Sequence, residues 1–176
     1  MRTLVTAATA ALLGACASAG TQASTHTNRV IDTNAGVRET DRVPVTNATT
    51  VNASPAATLA ALAAAYSDLE IEVKLRDSRT GEVGNRNFAK MYRLAGHPLS
   101  AFVGCGWTTV GPAADNYRVT MSLVSRVTPN GSGSNVETRL TAYAEDISSS
   151  KGTVACETRG TLEMRLHELA IKQAGG

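Results

Sequence analysis

Three cysteines and three histidines are the side chains of this sequence best suited to chemistry, as nucleophiles, acid–base groups or metal ligands. The histidines are His26, His97 and His167. No two of them have the i, i+4 spacing of a zinc-binding helix, and the chain has no Cys-x-x-Cys pair. A metal site would need distant residues such as His97 and Cys105, so we expect neither a metal nor another cofactor.

The common enzyme motifs are also missing from the sequence. It contains no Gly-x-Ser-x-Gly nucleophile elbow, no phosphate-binding loop and no dinucleotide fingerprint. We therefore predict no catalytic residues. An enzyme of unrecognised type, with a cleft that brings His97 next to a carboxylate, is the alternative.

Cys16, the first of the three cysteines, ends a short apolar segment at the N-terminus. Met1–Thr3 carry one positive charge and Leu4–Leu13 form an alanine-rich apolar run, the order of an export signal. This run is far shorter than the roughly 20 apolar residues that span a bilayer. Its end, Leu13-Gly14-Ala15-Cys16, resembles the lipobox of bacterial lipoproteins, in which the cysteine is acylated and becomes the first mature residue.

The resemblance implies a signal peptide over residues 1–15, a lipid on Cys16 and a place in the cell envelope. Ala17 follows the cysteine where an Asp would retain the protein at the inner membrane, which implies the periplasmic face of the outer membrane. The membrane is then the first expected partner. An ordinary export signal with a chance cysteine is the alternative.

Cys105 and Cys156 are left as a pair. An even number of cysteines in an oxidising compartment predicts a disulfide. The two positions are 51 residues apart, and their cross-link would stabilise the fold by about 4 kcal/mol through the entropy of the unfolded chain. Two buried, reduced thiols are the alternative.

Patterning predicts a flexible lipidated tether over residues 16–41, one domain over 42–172 and a disordered tail over 173–176. The tether is rich in Ala, Ser, Thr, Asn and Gly and has too few large apolar residues to order itself. Two amphipathic helices are predicted, one from Pro55 to Ser67 with Ser54 as its cap and one from Thr161 to Ile171.

Apolar and polar residues alternate in several segments, which predicts strands with one buried face. The predicted strands are 42–51 as an edge strand, 69–76, 82–94, 117–123, 136–145 and 153–157, with an irregular segment over 95–112. The alternation favours an antiparallel sheet of five to six strands with both helices packed on one face, an α+β fold. This order of elements resembles the helix-grip-like modules of small outer-membrane assembly lipoproteins.

The opposite face of this sheet is predicted to be open and polar. The side chains expected on it are Glu70, Glu72, Lys74, Arg118, Thr120, Glu137, Arg139, Thr141, Tyr143 and Glu145. Their charges could simply pair and keep the sheet soluble, or they could bind another envelope protein. The chain has 17 basic and 15 acidic residues and only 4% aromatic residues, which argues against nucleic acid as a partner.

The sequence thus favours a lipid-anchored, non-catalytic interaction or scaffolding module. A binder of a small apolar ligand is the second hypothesis, and it requires a cavity lined by Leu59, Ile71, Met121 and Leu166.

Overall fold

The computed structural model describes residues 46–148 and 152–175, which form an α+β fold of one large antiparallel sheet and two helices, as predicted. The predicted signal peptide, Cys16, the tether and His26 lie outside the described residues. The elements in chain order are β1 (Thr46–Val51), α1 (Pro55–Asp68), β2 (Leu75–Asp77), β3 (Glu82–Met91), β4 (Arg93–Leu94), β5 (His97–Pro98), β6 (Val103–Gly104), β7 (Trp107–Thr108), β8 (Gly111–Pro112), β9 (Arg118–Asn130), β10 (Gly133–Glu145), β11 (Thr153–Thr158) and α2 (Thr161–Ala174).

The strands β9 and β10 form a long hairpin at the centre of the sheet. They pair without a break from Asn130 opposite Gly133 to Arg118 opposite Glu145. Their side chains alternate between buried and exposed over most of this length, as expected for a sheet with one wet face. Gly131 has a φ of +58°, the left-handed conformation that a two-residue hairpin turn favours.

The main path through the sheet has the strand order β2-β3-β9-β10-β11-β6, and β1 pairs with β10 alongside β11. The sheet therefore has seven strands rather than five or six. The additional strand is β6, which comes from the segment predicted to be irregular and pairs with the end of β11.

Helix α1 begins as predicted and ends in a way that the sequence pattern conceals. Ser54 Oγ accepts a hydrogen bond from the backbone N–H of Ala57, and a proline follows the cap. At the other end, the Ile71 N–H bonds to the Tyr66 carbonyl and the chain reverses through Glu70, whose φ is +58°. This is the Schellman geometry, in which glycine is the usual residue at the left-handed position.

The predicted strand over 69–76 is therefore wrong for most of its length, and regular pairing begins only at Leu75. Leu69 and Ile71 are buried because they close the end of α1, not because they alternate along a strand. Alternation of apolar residues looks the same in both cases, so the pattern alone did not distinguish them.

Both helices pack on the same face of the sheet, as predicted. Helix α1 contacts β3, β9 and β10, while α2 contacts α1, β1 and β10. The predicted residues all belong to one apolar cluster, fully or partly buried: Leu59, Leu62, Tyr66, Leu69, Ile71, Val73, Met121, Leu123, Leu140, Leu162, Leu166 and Leu169.

A third element covers this face that the sequence analysis did not anticipate. The segment from Tyr92 to Tyr117, between β3 and β9, contributes several buried side chains to the same core: Leu94, Leu99, Phe102, Val103, Ala113 and Ala114. Within the segment, Asp115 Oδ1 accepts a hydrogen bond from the Ser100 N–H, which joins its two halves. The expectation that the two helices alone cover the sheet is therefore wrong.

The C-terminal helix is also longer than predicted. Helix α2 continues to Ala174, so Gln173 and Ala174 belong to it rather than to a disordered tail. Gln173 Nε2 donates a hydrogen bond to Asp68 Oδ2 at the end of α1, which joins the two helices.

We expect Leu166→Ala to lower the free energy of unfolding by about 2–5 kcal/mol, since it leaves a cavity at a fully buried position between α2 and the sheet. Met164→Ala is the matched control, because Met164 lies on the same helix and is half exposed. It should change the free energy of unfolding by less than about 0.5 kcal/mol. Chemical denaturation of both variants tests the helix placement, and equal losses would contradict it.

Candidate interaction surface

The outer face of the sheet is a surface of regularly spaced polar side chains. Its side chains on β9 and β10 point away from the helices, since they alternate with the buried residues of these two strands. The members of this outer face are Glu82, Arg86, Arg118, Thr120, Ser122, Val124, Arg126, Glu137, Arg139, Thr141, Tyr143 and Glu145.

Charges of opposite sign are interleaved on the outer face. Arg126 lies opposite Glu82 on β3 and opposite Glu137 on β10. Arg118 lies opposite Glu145 at the other end of the hairpin. Directly opposed charges of this kind keep a sheet in register and soluble.

Few of these charged side chains form ion pairs within the described part of the chain. Arg86 forms an ion pair with Glu82 at 2.9 Å. By contrast Arg118, Arg126 and Arg139 have no acidic oxygen within 4.0 Å among the residues that the structure describes. Three guanidinium groups are therefore left with capacity to bind an external carboxylate or carbonyl.

A shallow concavity of about 290 Å³ marks the centre of the outer face. It is lined by Glu82, Arg86, Ser122, Val124, Arg126, Glu137, Arg139 and Thr141. The predicted residues Arg139, Glu137 and Thr141 are thus brought together.

Glu70, Glu72 and Lys74 were predicted on this face and do not lie on it. They belong to the connection between α1 and β2, where the chain is irregular. Glu72 and Lys74 pair with each other at 3.4 Å, with both side chains largely exposed. An exposed pair of this kind contributes little to stability.

Directly behind the outer face, four polar side chains form a buried chain of hydrogen bonds. Tyr66 Oη lies 3.0 Å from Ser125 Oγ, which lies 2.7 Å from Thr138 Oγ1, which lies 2.8 Å from His167 Nε2. Ser125 and Thr138 are opposite each other on β9 and β10, while Tyr66 and His167 come from the two helices. The chain therefore links both helices to the central hairpin.

Burial changes the acid–base behaviour of this region. Burial raises the pKa of Tyr66 above its ordinary range, so its hydroxyl stays protonated. Burial also lowers the pKa of His167 to about 4, so its imidazole is neutral at physiological pH. The four groups share neutral hydrogen bonds in the core, which suits a structural role better than proton transfer.

Glu163 is a second buried polar group on α2, one turn before His167. Its Oε1 accepts a hydrogen bond from Thr158 Oγ1 at 2.7 Å. Burial raises the pKa of this carboxyl, and the Thr158 hydroxyl acts against that rise. The Asn47 side-chain amide also acts against the rise, as a second hydrogen-bonding neighbour of the Glu163 carboxyl.

His97, the candidate acid–base residue, is paired with an arginine rather than a carboxylate. Its Nε2 is in hydrogen-bond contact with the Arg165 guanidinium, and its ring stands edge-on to Phe102. Since the guanidinium can only donate, His97 uses the lone pair that a general base would need. The described residues also contain no cluster of three metal-ligating side chains.

The predicted disulfide is present in the structure. The Sγ atoms of Cys105 and Cys156 are 2.08 Å apart. The bond joins the segment between β3 and β9 to β11, beside the backbone pairing of β6 with β11.

Among the described residues, neither α1 nor α2 has the length and apolar composition that a membrane-spanning helix needs.

The buried chain of hydrogen bonds was missed at the sequence level. Ser125 and Thr138 occupy inward positions of otherwise apolar strands, and His167 lies on the apolar stripe of α2. The only sign of this network in the sequence is that polar residues occupy three positions that face the core. Only the pairing register shows that they meet.

Stability should depend on pH through His167. The unfolded chain takes up a proton near pH 6.5 and the folded chain only near pH 4, so the free energy of unfolding should fall as the pH drops through this window. The loss from His167 alone is ~3 kcal/mol. Glu163 acts with the opposite sign, because its raised pKa makes the folded state the stronger proton acceptor.

Denaturation of the parent, His167→Gln and Glu163→Gln across this window measures both effects. The first variant should flatten the fall in stability and the second should steepen it. An unchanged fall in His167→Gln would show that another group is responsible.

No protein-family model and no curated protein sequence matches this chain. A role must therefore be inferred from the features of the chain itself. Three features bear on it: an outer face with arginines that form no ion pair among the described residues, a filled core, and a disulfide that fixes the segment between β3 and β9.

Proposed function

We propose that this protein is a lipid-anchored component of a bacterial cell envelope that acts as a non-catalytic interaction module, with the outer face of its sheet as the binding surface for another envelope protein. The observation that carries the proposal is the set of three outer-face arginines, Arg118, Arg126 and Arg139, that have no ion pair among the described residues.

The rigidity of the outer face supports this role. Behind it lie the buried core and the hydrogen-bond chain from Tyr66 to His167. A surface whose backbone is held in this way loses little conformational freedom when a partner binds. Such a surface is suited to docking rather than to enclosing a ligand.

The chemistry of the face indicates the kind of partner. Arginine and tyrosine are enriched in protein interfaces, and Tyr143 is half exposed at one end of the outer face. The arginines are spaced between glutamates, so a partner needs charges of both signs in a matching order. A polyanion such as nucleic acid would meet Glu82, Glu137 and Glu145 on the same surface.

A small apolar ligand is less well supported. Leu59, Ile71, Met121 and Leu166 would have to line its cavity, and all four are packed in the core. Two surface concavities of the described residues, one at the centre of the outer face and one beside Lys74 and Asn87, are lined by none of the four.

The anchor is proposed from the N-terminal sequence. Cys16 ends the segment that resembles a lipobox, and the disulfide between Cys105 and Cys156 is consistent with an oxidising compartment such as the periplasm. By the same resemblance we propose the periplasmic face of the outer membrane as the location.

We expect Cys16→Ser to move the protein from the detergent-requiring membrane fraction to the soluble fraction of the envelope. The reason is that the thiol is the acylation point that the lipobox implies. Cys105→Ser, which removes a different cysteine, should remain with the membrane. A Cys16→Ser protein that still needs detergent for release would contradict the anchor.

We expect a photo-activated cross-linking residue at Thr141 to yield a discrete adduct in native envelopes, while the same residue at Glu168 on α2 yields none. The adduct should be lost in Arg139→Glu, which reverses a charge on the outer face, and kept in Lys172→Glu, which makes the same change on α2. Thermal unfolding of each variant checks that it is folded. An adduct that survives Arg139→Glu, or that forms equally at both positions, would contradict the outer face as the binding surface.

A further inference from the structure

The short hairpin formed by β7 and β8 exposes the two most accessible large apolar side chains of the described residues. Trp107 is 82% exposed and Val110 is 76% exposed. Trp107 is also the only tryptophan of the chain. Tryptophan normally buries most of its ring, and where it does not, it marks an interface with a protein or a membrane.

The hairpin is held in a projecting position by its base. Cys105 is cross-linked to Cys156, and the Gly106 carbonyl accepts a hydrogen bond from the Ala113 N–H at 3.0 Å. At the tip, the Thr108 hydroxyl donates to the Gly111 carbonyl and accepts from the Val110 N–H. Trp107 is therefore presented on a closed, internally bonded loop with a fixed base.

The composition of the hairpin fits a lipid surface. Residues 104–114 contain no charged side chain, so nothing in the loop resists entry into an apolar layer. The only polar side chains of this stretch outside the disulfide are Trp107, Thr108 and Thr109. A tryptophan with a neighbouring aliphatic residue is typical of segments that settle at the headgroup level of a bilayer.

Three arginines lie on or against the segment from Tyr92 to Tyr117, and Arg159 is the one placed beside the base of the hairpin. Arg93 donates to the Gly96 carbonyl, Arg165 contacts His97, and the Arg159 guanidinium lies beside Gly104. None of them has an ion pair within the described residues. Glu157 lies opposite Gly104 on β11, and Asp115 accepts a hydrogen bond from the Ser100 N–H, so the three arginines outnumber two carboxylates in this region. Guanidinium groups bind the phosphates of anionic lipids.

We propose that the hairpin from Trp107 to Pro112 is a membrane-contacting loop, which places Trp107 and Val110 in the headgroup region of an anionic bilayer while Arg159 at its base faces lipid phosphates. An unlipidated protein partner at the same hairpin is the competing occupant, and the experiment below separates the two.

The length of chain before β1 allows this contact on the membrane that holds the anchor. Cys16 and Thr46 are 30 positions apart, a length of chain that can span at most ~100 Å. A domain of this size has a radius of gyration of only ~14 Å. Anchoring would make contact of the hairpin with the bilayer intramolecular, so a loop with two apolar side chains suffices. Only this step rests on the proposed function.

Trp107 is its own reporter, since no other tryptophan contributes to the emission. The purified full chain is mixed with vesicles that contain phosphatidylglycerol, or with vesicles of phosphatidylcholine alone. We expect a blue shift of the emission and its quenching by brominated acyl chains, both stronger with phosphatidylglycerol. Unchanged Trp107 emission with both kinds of vesicle would overturn the proposal. If the emission shifts only when the protein captured by cross-linking is added, the hairpin binds that protein and not the bilayer.

Val110→Asp should abolish the shift and the quenching while Trp107 remains as the reporter. Ile147→Asp is the matched control, because Ile147 is an exposed aliphatic residue in a different loop, the one that follows β10. It should leave both signals unchanged. Equal quenching in the two variants would overturn the proposal. The readout is local to Trp107, so it can succeed in a chain that lacks the lipid and fail in one that carries it.

Discussion

The one-sided burial of the hairpin between β9 and β10 is the constraint on which the rest of the fold depends. Its two strands pair along thirteen residues each, and one side of that ribbon is buried and mostly apolar. A two-stranded ribbon is not stable alone in water, so this side must be covered. Helices α1 and α2 and the segment between β3 and β9 all pack there.

Four polar groups within this apolar interface define how the helices sit on it. Ser125 and Thr138 are paired across the hairpin, so their hydroxyls occupy fixed positions. Tyr66 and His167 must reach those hydroxyls from two different helices. An alternative docking of either helix would leave a buried hydroxyl or imidazole unpaired, at a cost of about 1–3 kcal/mol for each group. The network therefore favours one arrangement of the helices over otherwise similar apolar packings.

The parts of the fold that follow from local chemistry could be predicted, while those that depend on non-local pairing could not. Ser54 and Pro55 mark the start of α1, because a capping serine followed by proline is typical of a helix N-terminus. Its end depends on Glu70 in a left-handed conformation, which is uncommon for glutamate and has no sequence signal. Likewise Leu94, Leu99 and Phe102 enter the core from an irregular segment, where neither helical nor strand periodicity marks them.

For the same reason, only part of each candidate surface could be predicted from the sequence. Alternation along β10 places Glu137 and Arg139 on the outer face, but whether an arginine is paired depends on its neighbours across the sheet. The exposure of Trp107 depends on a disulfide and a hairpin that hold the ring away from the core. The described part of the domain fills one core from both helices and from the segment between β3 and β9. What it presents to other molecules is therefore decided by the charges and apolar side chains that its own packing leaves unused.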